Sequence, residues 1–181
     1  MTTPNANQSW RIILRRLVAF VIDYIVIILP YILSIAILNV SAIGIDKLTE
    51  ISINPTIGQI IGFFSITLPV GLYFIILENW RGATIGKGVM SLKVSTLARQ
   101  KATLWANVRR NAFKLLPWEI AHWAVWHAFD QETLALPYLI GFILSYSLVG
   151  LYFLSLVFTA SHRTLYDIAT GIIIHQEDSK S

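Results

Sequence analysis

The chain has 181 residues, of which 55% are apolar and only 13% charged, and its mean hydropathy is +0.64. So little polar surface excludes a soluble domain of this size and points to a membrane protein. Fourteen Lys and Arg against ten Asp and Glu give a net charge of +4, and the absence of cysteine excludes disulfides and thiolate metal sites.

No internal repeat divides the sequence, which reads as one transmembrane domain over 11–175 between a polar leader, 1–10, and a polar tail, 176–181. The leader lacks a basic n-region, and the apolar run after it has no small-residue cleavage pattern, so no cleavage is expected. The run Arg15 to Pro30 holds Arg15, Arg16 and one carboxylate, Asp23. A charge inside a spanning helix costs at least ~2.5–3.5 kcal/mol, so Asp23 marks either a functional group or a buried network. The first span covers about Leu17 to Leu38, enough helix to cross ~30 Å of hydrocarbon, with a break expected at Pro30. Residues 39–55, with Asp46, Lys47 and Glu50, form an external loop. A second span covers Ile57 to Leu77, where Pro69 predicts another break and Gly58-x-x-x-Gly62 offers a close-packing face.

The stretch Glu78 to Lys114 holds eight basic residues and one acid, Glu78, which places it in the cytoplasm. Within it, Ser91–Thr96 alternates in the strand period, and pairing with Gly171–His175 is expected. Leu104, Val108, Ala112, Leu115 and Leu116 recur at helical spacing after a candidate N-cap, Thr103. This predicts an interfacial helix whose Arg109, Arg110 and Lys114 contact anionic lipid head groups. Membrane proximity accounts for the basic run, so no nucleic-acid partner is expected.

The third apolar segment, Leu115 to Phe129, is interrupted by Pro117, three tryptophans, Glu119, His122 and His127. Glu119 and His122 share a helix face. A metal site would need a second such pair, so the pair reads as a proton relay or as interfacial residues bonded to water, with no metal and no cofactor. Asp130 and Glu132 mark a short external loop, and a fourth span covers Leu134 to Ala160. The fold class is therefore all-α, with four transmembrane helices, a cytoplasmic interfacial helix and a short two-stranded β pair. Of the fourteen Lys and Arg residues only Lys47 falls in an external loop, which predicts both termini inside.

Arg16 and Asp23 lie seven residues apart, about 10.5 Å along a helix, too far for a direct pair. Asp167, beyond the fourth span, stands at the same membrane level, so a network of Arg16, Asp23 and Asp167 is expected. The pattern Arg16-Leu-Val-Ala-Phe-Val-Ile-Asp23 resembles the opening of the RDD family of small bacterial integral membrane proteins, named for one arginine and two aspartates. Ala83-Thr-Ile-Gly-Lys87, Leu92-Lys-Val94 and Arg163-Thr-Leu-Tyr-Asp167 resemble later segments of that family; the Ala-Gly-Thr that often follows its second aspartate is not kept here. The resemblance implies that Arg16, Asp23 and Asp167 are the signature positions. It also implies transport in a bacterial inner membrane, sodium/proton antiport being described for some members.

No nucleophile elbow, phosphate loop or zinc-protease helix occurs, so no enzyme is expected. The leading expectation is a proton-coupled transporter, moving a cation or small solute through Asp23 and working as a homo-oligomer because four spans are few. The alternative is a membrane scaffold or an anionic-lipid-binding module.

Overall fold

The computed structural model describes residues 6–43, 54–128, 134–159 and 161–177. Outside them lie the start of the leader, the predicted external-loop residues Asp46, Lys47 and Glu50, the loop with Asp130 and Glu132, and the end of the tail. In chain order the elements are α1 (Ala6–Ile22), a π-helical turn (Asp23–Ile28), α2 (Leu29–Ile43), α3 (Pro55–Gly62), a second π turn (Phe63–Thr67), α4 (Leu68–Arg81) and α5 (Ile85–Val89). There follow β1 (Leu92–Thr96), α6 (Leu104–Ala128), α7 (Leu136–Phe158), α8 (Leu165–Ala169) and β2 (Ile172–Gln176). Among the described residues, three helical stretches are long and apolar enough to cross a membrane: Trp10–Ser41, Pro55–Arg81 and Leu136–Phe158.

The prolines shape these long helices. A proline donates no hydrogen bond, and its ring crowds the carbonyl four residues back, so the ladder must re-register around it. It does so ahead of Pro30 and Pro69, where Leu29 N–H reaches Tyr24 O and Leu68 N–H reaches Phe63 O, closing the π turns. The predicted breaks thus take the form of wider turns, the first of which begins at Asp23. Carbonyls freed in this way need donors, because hydrocarbon supplies none. Ser65 O, four residues before Pro69, accepts from the Tyr31 hydroxyl at 2.6 Å. Phe113 O, four residues before Pro117, accepts from Tyr152 at 2.7 Å.

One expectation is corrected. The interfacial helix and the third apolar segment are a single 25-residue helix, α6, which does not end at Lys114. Pro117 does not divide it, since Tyr152 takes up the freed carbonyl and Ser145 donates to Pro117 O at 2.7 Å. Thr103 caps it as expected, accepting from Ala106 N–H. Polar residues of α6 turn inward and not toward head groups: Asn107, Arg110 and Asn111 are buried, while Leu104, Trp105, Phe113 and Leu116 are exposed. Of the four predicted spans, the third thus falls on α6, which is not among the three helices apolar enough to cross by composition.

The same inversion runs through the molecule. Large apolar side chains along the three apolar stretches face outward, as a lipid environment favours, whereas the buried set includes as many polar groups as apolar ones. The predicted strand pair forms: β1 and β2 are antiparallel, with Leu92 opposite Gln176 and Thr96 opposite Ile172. A two-stranded sheet is marginal alone. Here Leu92, Val94, Ile172 and Ile174 point from one face into a cluster with Ala19 of α1 and Ala102, so helix packing supports it.

Candidate functional site

The polar core lies where α1, α4, α5, α6 and α8 meet. Glu78, near the end of α4, is buried and accepts from Lys87 Nζ at 2.7 Å, from Arg110 Nη1 at 2.8 Å on both oxygens, and from Asn111 Nδ2 at 3.0 Å. Asp167 of α8 accepts from Arg16 Nη2 at 2.5 Å and from Arg110 Nε at 2.7 Å. Arg110 therefore bridges two acids from different helices. Its guanidinium also lies 5.3 Å from the Tyr166 ring centroid. Arg16 gains a further bond, from Nη1 to His162 O at 2.6 Å.

Asp23 stands apart from these ion pairs. It is 1% exposed, and its carboxylate accepts from the Tyr73 hydroxyl at 2.7 Å, the Thr84 hydroxyl at 2.6 Å and Gly86 N–H at 2.7 Å. All three donors are neutral, and among the described residues no cation lies within 4.0 Å of it. The sequence supports this local architecture. Gly82 ends α4 in the left-handed conformation (φ 69°), where glycine is favoured. Thr84 then caps α5 through Lys87 N–H while giving its own proton to Asp23. Gly86 brings its backbone against the Ala19 carbonyl, an approach that leaves no room for a β-carbon.

A cavity of about 50 Å³ opens between these groups, lined in part by Arg16, Asp23, Lys87, Arg110 and Lys114. Four cations and one carboxylate face it, with Glu78 and Asp167 behind them in ion pairs. Lys114 differs from the other cations. It has no carboxylate within 4.0 Å among the described residues, and its Nζ sits 3.1 Å from the Phe74 ring centroid.

The family model of the RDD family matches residues 12–171, most of the chain. The chain belongs to the RDD family. No curated protein and no solved structure gives a significant match. In this RDD protein the structure brings Arg16 and Asp167 into contact and sets Asp23 on the same cavity as Arg16 without pairing them. Of the three basic residues expected at lipid head groups, Arg109 is exposed, Lys114 is half-buried beside Phe74, and Arg110 is turned inward between Glu78 and Asp167.

Glu119 and His122 lie on a separate part of α6, against α3 and the second π turn. Glu119 accepts from the Thr67 hydroxyl, which in turn accepts from Trp118 Nε1–H at 3.0 Å. His122 Nε2 accepts from Trp126 Nε1–H at 2.7 Å, which leaves Nδ1 toward Glu119 Oε1 at 3.8 Å. Among the described residues no group of three or more His, Asp or Glu side chains converges as a metal site. Gly58 and Gly62 face this region, and a β-carbon on either would come under 3.0 Å from the Trp126 or His122 ring. Their small size makes sockets for aromatic rings of α6 rather than a helix-backbone contact.

Sequence reasoning missed Glu78, Lys87, Tyr73, Thr84 and Gly86 as site residues. Two signals were present: Glu78 is the lone acid in a long basic stretch, and Thr84, Gly86 and Lys87 stand in the segment that resembles one of the RDD family.

The network has a defined pH response. Burial alone would push the Asp167 carboxyl up, but the Arg110 and Arg16 guanidiniums beside it overcome burial and hold it well below the usual carboxylate range. A folded-state pKa below the unfolded one means that the stabilisation is fully present above the ordinary value, about 4, and drains away as pH falls from there toward the folded value. Thermal unfolding in detergent should therefore show Tm dropping below about pH 4, and dropping less steeply in Asp167→Asn. Parallel profiles for the two proteins would contradict this assignment.

Proposed function

We propose that this RDD protein is a transporter of the bacterial inner membrane, both termini cytoplasmic, that couples movement of a small cation or solute to protons and works as a homo-oligomer. Asp23 is the carboxylate that exchanges the proton in this reading. The observation that supports it most is the contrast among the three buried acids of the polar core. Glu78 and Asp167 are locked by cations, so protonating either strands a buried positive charge. Among the described residues Asp23 is held by neutral donors and lines the cavity, so gaining a proton there breaks no ion pair. Its place at the start of a π turn fits the frequent occurrence of such turns at functional positions.

The test is flux in proteoliposomes with and without an imposed pH gradient, over a panel of monovalent cations and small solutes. Gradient-dependent uptake of at least one is the expected result. Uptake of none, from protein shown to be folded, would favour a non-transporting membrane scaffold.

A further inference from the structure

Four basic side chains meet three acids in the polar core. Arg16, Lys87, Arg110 and Lys114 face Asp23, Glu78 and Asp167, and Lys114 is the basic group with no carboxylate within 4.0 Å among the described residues. Beside Lys114 the cavity adjoins a larger groove of about 480 Å³, and Phe20, Lys114 and Tyr166 line both. The groove runs from Phe20 of α1 and Tyr24 of the first π turn across Leu115, Pro117, Trp118 and Ala121 of α6 to Ser145, Val149 and Tyr152 of α7. Its lining is predominantly apolar, and its volume falls in the ordinary range of small-molecule sites.

We propose that this groove binds an anionic phospholipid, with one acyl chain along α6 and α7 and the phosphate at Lys114. The occupant is set by charge complementarity at one end and apolar surface along the rest. Lysine is a common phosphate partner, and basic pockets between membrane helices take anionic head groups. An anionic phosphate at Lys114 supplies the opposing charge that no carboxylate within 4.0 Å supplies among the described residues. A zwitterionic lipid fills the same groove but adds no net charge, and a free oxyanion satisfies Lys114 but leaves the apolar wall unused. The site does not depend on the transport reading.

The experiment is native mass spectrometry of the full-length protein taken from vesicles of phosphatidylglycerol and phosphatidylcholine with identical chains, stepping up detergent to strip lipid. Wild type is expected to keep one phosphatidylglycerol per chain under conditions that remove phosphatidylcholine. Retention should fall about tenfold in Lys114→Gln, which removes the charge, and in Val149→Trp, which fills the groove. Circular dichroism checks that each variant is folded, and if Lys114→Gln does not fold, Val149→Trp decides alone. Equal retention of the two lipids, or wild-type retention in the folded variants, would overturn the proposal. So would inorganic phosphate raising Tm equally in wild type and Val149→Trp, since that makes the site one for a free anion.

Discussion

Replacing Glu78 by glutamine should destabilise the protein by about 3–5 kcal/mol, the cost of breaking a buried ion pair by removing one partner. The carboxylate oxygens accept from two cations and an amide, and every one of these groups is a donor. Glutamine supplies one accepting oxygen and turns an NH₂ group toward the remaining donors. It also leaves Lys87 and Arg110 with less opposing charge in a region where, among the described residues, Lys114 already has no carboxylate within 4.0 Å. Introducing Lys87→Met into Glu78→Gln should recover part of the loss, because it removes one of the stranded charges, and a double-mutant cycle isolates that coupling. Denaturant midpoints of the four proteins in one detergent provide the measurement. A loss under ~1 kcal/mol in Glu78→Gln, the level of an exposed pair, would mean that the network does not hold α4, α5 and α6 together.

Gly86→Ala should be comparably damaging for a different reason. The new β-carbon would meet the Ala19 carbonyl under 3.0 Å, and the group on that side is backbone, which cannot rotate away. Relief requires α5 to move off α1, and overpacking of this kind costs ~1–3 kcal/mol. That movement also weakens the Gly86 N–H bond to the Asp23 carboxylate, and hydrogen bonds to charged groups are worth ~1.5–3 kcal/mol. Gly88, two residues on in the same helix, has open space where a β-carbon would stand, with no neighbouring atom within 4 Å, so Gly88→Ala is the control and should shift Tm little. Equal effects of the two substitutions would show that helix propensity, and not the α1–α5 contact, governs this turn.

Local patterning carried some elements and not others. The β pair was legible because the alternation in Ser91–Thr96 and the β-branched run Ile172–Ile174 each needed a partner near the same boundary, and the observed register satisfies both. The meeting of Arg16 with Asp167 followed from their common level and from the helical rise that separates Arg16 from Asp23. The inward turn of Arg110 was not legible. A basic residue among other basic residues reads as solvated, and only the distant acids Glu78 and Asp167 make its burial tolerable. The continuity of α6 was hidden in the same way, since the groups that stabilise the helix around Pro117 come from α7. Asp23 was identified by the cost of its charge, but its donors come from α4 and the start of α5, which no local pattern connects to it.

The most direct test of Asp23 as the exchanging carboxylate is the paired measurement of thermal stability and gradient-driven flux in Asp23→Asn. The surrounding bonds allow the amide to fit. Its oxygen can take the Tyr73 hydroxyl and Gly86 N–H, which share one carboxylate oxygen now, while its NH₂ donates to Thr84, whose hydroxyl can turn to accept. The variant should therefore fold with Tm near that of wild type, lose all proton-coupled flux, and show no rescue when Arg16→Gln is added. Full gradient-driven flux in a folded Asp23→Asn protein would contradict the account.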